Sequence, residues 1–272
     1  MSSSAVAGSL GVAGPLMKVG FMEIAAFRLK PIMLLSGYPV IILANYFLYS
    51  AIFKNRTEVA GYGLTEVITY LSIVWFIRAG LKTDADRITG YRVRSGDVSI
   101  DMARPVYYPV LVFWQATGRA LGRTAFISLP LVLMASLVIP ILRPASASHF
   151  LAFAASLLLS YMMAFSVYLL VGISSFFLEF NLGFSWTVDM TVRLVSGLLL
   201  PLDFFPSPLH EIFAALPFKY IYFVPVQIYL GRVPEGALLA EIGIGLLWLL
   251  LMLVAAHLLF ATGSKRMTIQ GG

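Results

Sequence analysis

Cysteine is absent from the 272-residue sequence, which excludes disulfides, thiolate nucleophiles and cysteine-ligated metals. Charge is scarce: Asp, Glu, Lys and Arg make up 12% of the residues, where a soluble domain carries about 25%. Histidine occurs three times, as His149, His210 and His257, too far apart for a metal-ligand motif. No G-x-x-x-x-G-K-[ST] loop is present; "GSKRMT" at 263–268 has the lysine but no phosphate-cradling loop before it. Neither H-E-x-x-H nor G-x-S-x-G occurs, and no repeat is visible at half length, which argues against a transporter built from duplicated halves.

What fills the chain instead is apolar. Hydrophobic residues reach 60%, and the mean hydropathy is +0.89. No aqueous fold could cover that much apolar surface, so lipid is the solvent for most of the chain. The opening "MSSSAVAGSLGVAGPLMK" has no cationic region ahead of its small residues and reads as a loose leader, not a cleaved signal peptide. The net charge of +6 is explained by membrane orientation rather than by nucleic acid.

A membrane span needs about 20 mainly apolar residues. Six stretches qualify, at 32–53, 62–80, 122–142, 150–178, 184–203 and 236–261. With the N-terminus in the cytoplasm, thirteen cations fall inside: Lys18, Arg28, Lys30, Arg78, Lys82, Arg87, Arg92, Arg94, Arg104, Arg119, Arg123, Lys265 and Arg266. Five fall outside (Lys54, Arg56, Arg143, Lys219 and Arg232), and Arg193 is left within the bilayer. That bias matches the positive-inside rule and places both termini in the cytoplasm.

Three segments are not plain spans. Residues 15–30, "PLMKVGFMEIAAFRLK", mix charge with apolar residues and predict a helix lying in the inner interface. A helix over 107–142 would measure roughly 54 Å against a hydrocarbon core of about 30 Å, so its first part lies on or below the membrane. Residues 201–231 are apolar but broken by Pro201, Pro206, Pro208, Pro217 and Pro225, which predicts short helical pieces dipping into the outer leaflet.

The polar block "RSGDVSIDMARPV", 94–106, stands out in the inner loop between spans two and three. Gly96 permits a turn, Asp97 can cap a helix start, and Pro105 disfavours helix at Arg104, which together predict a helix over 97–103. So short a helix is marginal alone. It is either a loop helix packed on its own protein or a plug for a cytoplasmic partner.

This block resembles the cytoplasmic coupling-helix loop of ABC export permeases of the second type, which have six spans and include drug, lipid and polysaccharide exporters. The stretch "SGLLLPLDFFPSPLHEIFAALPFKYIYFVPVQIYLGRV", 196–233, is similar to the same bacterial permeases over nearly its whole length. The Pro-Leu-Asp, Pro-Phe and Pro-Val-Gln-Ile-Tyr-Leu-Gly elements carry that match. One departure is Met102-Ala103, which stands before Arg104-Pro105 where leucines are the family's pattern.

The resemblance implies an all-α integral membrane permease over 1–272 in the bacterial cytoplasmic membrane, with an interfacial helix, a coupling helix and re-entrant outer helices. It implies a surface of Arg94, Asp97, Val98, Ser99, Ile100, Asp101, Met102 and Arg104 that meets ABC ATPase subunits, which bind the ATP and Mg. It also implies a second permease, identical or homologous, and no cofactor in this chain.

Within the membrane, Asp189 and Arg193 lie four residues apart, on one helix face where they can pair. They form either a structural ion pair or a polar wall of an export path, to which Tyr70 and Trp75 could add an aromatic wall. A pair predicts that removing both charges is milder than removing one. Two rivals stand beside the exporter. One is a membrane-embedded enzyme using Asp189, Asp203 or Glu179 as acid or base; the other is a non-transporting assembly subunit.

Overall fold

The structure, a computed structural model, describes residues 11–26, 29–137, 139–178 and 182–266. Among these residues all regular structure is helical, apart from one isolated bridge between Val59 and Tyr62. Helix α1 is Ala13–Ala26, α2 Leu29–Ile52, α3 Leu64–Leu81 and α4 Ala85–Ser95. A short α5, Val98–Met102, precedes α6, Tyr108–Arg123, which runs through a π-turn, Thr124–Ser128, into α7, Leu129–Ser136. Then come α8, Ala147–Ile173; α9, Leu182–Val195; α10, Ser207–Ala215; α11, Phe223–Tyr229; and α12, Leu238–Gly263.

Helix α3 is the hub. Almost every residue from Val67 to Gly80 is buried, and Tyr70, Val67 and Val74 pack with Met163 of α8, Tyr220 and Val226 in the central core. The outer helices do the opposite. On α12, Leu239 is 84% exposed and Leu247 63%, a continuous apolar flank that a soluble monomer does not display. This inverted burial follows from an apolar solvent. Three helical stretches among the described residues are long and apolar enough to cross a membrane: Leu64–Ser95, Ala147–Phe176 and Glu235–Gly263.

Several boundaries differ from the sequence reading. The helix expected over 15–30 ends at Ala26, and α2 begins at Leu29, so Lys30 lies in the first turn of α2; Arg28 falls outside the described residues. Helix α1 lies along α6, a packing that glycine permits. A methyl group at Gly20 would strike the Gln115 carbonyl, and one at Gly118 would strike that of Met17. Glu23 pairs with the buried Arg119 at 3.0 Å across this contact. The helix through the third expected span stops at Ser136, not 142, ahead of Pro140.

The fifth expected span, 184–203, is the clearest departure. Helix α9 has 14 residues, roughly 21 Å, less than the hydrocarbon thickness of about 30 Å. It ends because Gly197 takes a left-handed backbone (φ 84°), its carbonyl accepting a hydrogen bond from Tyr70 Oη at 2.7 Å. The Ser196 carbonyl accepts from the Phe223 amide at 3.0 Å, fixing the outer segment against α9. The outer segment consists of the short pieces its prolines predict: Leu202–Phe204, α10, Pro217–Tyr220 and α11.

Candidate coupling tip and membrane charge cluster

The polar block forms a tip. Helix α4 closes with Gly96 in a left-handed conformation (φ 80°), and α5 folds back beneath it. The helix is Val98–Met102, not 97–103, and Asp97 does not cap it with its carboxylate. That carboxylate instead accepts from Ser95 Oγ at 2.6 Å, while Ser99 Oγ donates to the Gly96 carbonyl at 2.6 Å. A nearer hydroxyl competes successfully with the helix amides, as short polar side chains in turns often do.

The tip is supported by its own chain. Val98 is 1% exposed and joins Ala85, Tyr108, Leu111 and Phe260, with Met102 packed beside them. Asp101 is buried and paired with Arg92 at 3.0 Å and Arg104 at 3.6 Å. Arg94 Nε donates to the Gly90 carbonyl. At the root, Tyr107 Oη meets His257 Nδ1 at 2.8 Å, and burial raises the Tyr107 hydroxyl above its usual range, so it stays a neutral partner. What the tip presents outward is Arg94, Asp97, Ile100, Ala103 and Arg104, with Ile100 63% exposed.

The second feature lies where α3, α8 and α9 meet. Asp189 and Arg193 pair at 2.6 Å as their spacing predicts, but a third charge joins them. Arg78 of α3, assigned to the cytoplasmic side in the charge tally, is buried and reaches Asp189 at 3.2 Å. Tyr168 Oη donates to the same carboxylate oxygen at 2.6 Å, and Arg78 donates to Tyr222 Oη at 3.4 Å. Helices α3, α8 and α9 and the segment before α11 thus meet at one carboxylate.

Of the expected aromatic wall, Tyr70 is fully buried and holds the Gly197 turn, whereas Trp75 packs edge-on against Tyr38 on another face of α3. Five residues separate the two, about 140° around a helix, so they cannot line one surface. Asp203 lies in a separate outer knot, accepting from Tyr62 Oη and from Gln227 Nε2 at 2.9 Å. Arg232 covers the Tyr62 ring at 3.5 Å and pairs with Glu66 at 3.0 Å. Asp189 and Asp203 therefore share no partner, and Glu179 falls outside the described residues. Each histidine bonds a neighbouring side chain or carbonyl, and among the described residues no group of acids and histidines could hold a metal.

One further feature is not legible in the sequence, an apolar cavity of about 420 Å³ beside the π-turn. Phe76, Ile77, Leu121, Leu157 and Tyr161 line it, and Ser128 Oγ donates to the Phe76 carbonyl at 2.9 Å at its edge. Its lining residues recur at helical spacing and look like ordinary core in one dimension.

A multi-pass helical membrane protein with a rooted polar tip, and without a phosphate-binding loop in its sequence, is defined by these features. The family model described as ABC-2 family transporter protein matches residues 40–271, and the chain belongs to that family: it is an ABC-2-type permease. No curated protein matches the chain.

Proposed function

We propose that this chain is the membrane-spanning subunit of an ATP-driven exporter in a bacterial cytoplasmic membrane. It moves a hydrophobic or amphipathic cargo, of the drug, lipid or glycan class, outward. Separate ATPase subunits bind ATP and Mg, and a second permease, identical or homologous, completes the path. In this reading the chain crosses the bilayer six times with both termini in the cytoplasm, the shorter α9 being extended by the outer pieces that follow it.

The observation that carries the reading is the division of labour within α5. Val98 and Asp101 root the tip in the permease, while Ile100, flanked by Asp97 and Arg104, projects from it. An exposed isoleucine on a rigid polar knob suits a partner's cleft, where a single apolar anchor contributes much of the binding. Motion of the partner pushes on α5, and its root passes that push to Arg92, Tyr108 and Phe260, hence to α4, α6 and α12.

Ile100→Asp tests this directly. The side chain is exposed, so the permease is expected to fold and insert normally, while recovery of the ATPase with it falls at least several-fold. Full recovery together with normal cargo-stimulated hydrolysis would show that α5 does not dock.

Orientation has its own check, aided by the absence of native cysteine. Cysteines at Ala103 and Ser207, both exposed, are expected to react with a membrane-impermeant maleimide from opposite sides of sealed vesicles. Labelling of both from one side rules out the six-span arrangement.

A further inference from the structure

The cluster around Asp189 has an unbalanced charge. One carboxylate, Asp189, faces two guanidinium groups, Arg78 at 3.2 Å and Arg193 at 2.6 Å, which leaves one positive charge over. Among the described residues no second carboxylate bonds either arginine. The next acid along this face is Asp86, held by Ser185, one turn from Asp189 on the side away from Arg193. Tyr168 and Tyr222 complete the surroundings with hydroxyls. In an apolar medium a counter-anion stabilises such a surplus charge.

The two arginines are not equivalent. Arg78 is sealed in the protein, with its side chain 7% exposed, whereas that of Arg193 is 32% exposed. The unbalanced charge is therefore presented through Arg193. Only one of its terminal nitrogens is bonded to Asp189, and its Nε has no partner. Along the same helix, Trp186, Met190 and Leu194 are 62%, 47% and 40% exposed, an apolar stripe that passes the guanidinium. A cation set beside an apolar stripe matches a molecule with an acid at one end and an alkyl chain at the other.

We propose that Arg193 and the Asp189–Arg78 pair behind it form a binding site for an anionic amphiphile, its phosphate or carboxylate on the Arg193 guanidinium and its chain along Trp186, Met190 and Leu194. Arg78 and Tyr168 are positioning residues: they fix Asp189, and Asp189 fixes Arg193. That this amphiphile is the cargo rests on the permease reading above; that it binds does not.

The experiment uses the full-length permease alone, purified in dodecyl maltoside, with dodecyl phosphate as the probe. Inorganic phosphate serves as the free-anion control, and the uncharged detergent itself supplies the same alkyl chain. Intrinsic tryptophan fluorescence, which includes Trp186, and the thermal midpoint both report occupancy. Wild type is expected to bind dodecyl phosphate saturably and to gain stability from it. Arg193→Gln is expected to bind roughly tenfold or more weakly, the loss of a charge-assisted hydrogen bond. Arg193→Lys is expected to fall between them.

The Gln variant keeps the neutral Arg78–Asp189 pair, so without ligand its thermal midpoint stays at or above that of wild type. Equal binding by wild type and Arg193→Gln overturns the proposal, as does equal binding of inorganic phosphate, which would make the site one for free anions. A wild-type dimer that becomes monomeric in Arg193→Gln, with no dodecyl phosphate binding, also overturns it, because the counter-charge would then come from a second copy. Since no ATPase is present, failure here is separate from failure of the exporter reading.

Discussion

Asp189→Asn is expected to destabilise the permease by roughly 3–5 kcal/mol, more than neutralising either arginine beside it. The reason is charge counting in an apolar medium. With Asp189 ionised the cluster carries one surplus positive charge; without it, two guanidinium groups face each other with no anion between them. Tyr168 also loses its charged acceptor. Arg193→Gln leaves one neutral ion pair and is expected to fall within about 1 kcal/mol of wild type.

The pair read from the sequence makes the Asp189 and Arg193 double change mild. Arg78 reverses that expectation: the double change leaves Arg78 buried and uncompensated, and is expected to behave almost as badly as Asp189→Asn alone. The rescuing combination is Asp189→Asn with Arg78→Gln, because the surviving Arg193 is a third exposed and can reach toward water. Thermal midpoints of these variants in one detergent order them. If Arg78→Gln gives no rescue, the three groups do not act as one cluster.

Asp101→Lys is expected to abolish coupling by dismantling the tip, whereas Asp97→Lys leaves the tip folded. The two aspartates sit in one block and look alike in sequence, yet Asp101 is buried against Arg92 at 3.0 Å and Arg104 at 3.6 Å, and Asp97 is exposed. Lysine at 101 would place a third cation against two arginines and remove the charge that holds a five-residue helix, too short to persist unsupported. Limited proteolysis between Arg92 and Arg104 is expected to rise sharply in Asp101→Lys and stay at the wild-type level in Asp97→Lys. Cargo-stimulated hydrolysis by the assembled transporter is expected to vanish in the first and to weaken in the second. Equal protease resistance in both would mean that Asp101 does not hold the tip.

The capping of α5 shows why a motif can be right in place and wrong in detail. Gly96 and Pro105 bracket the helix as their backbone preferences require. The Asp97 carboxylate had two possible partners, the helix amides and the Ser95 hydroxyl, and spacing alone does not rank them. The support for the tip was equally hidden, since Val98 finds Tyr108 and Phe260 from distant parts of the chain.

What the sequence by itself determined is whatever depends on composition and local backbone chemistry. An apolar excess with few charges requires a lipid solvent; the prolines of 201–231 force short pieces; the four-residue spacing of Asp189 and Arg193 lets them meet. The tertiary structure alone decided which groups from distant helices share a site. Arg78 joins Asp189 across 111 positions of chain, the glycines of α1 and α6 let those helices lie against each other, and Tyr70 ends α9 by bonding the Gly197 carbonyl. Local preferences act over a few residues and leave their mark in the one-dimensional pattern. Burial of a charge is set by every helix packed around it, so the cluster at Asp189 exists only once α3, α8 and α9 have come together.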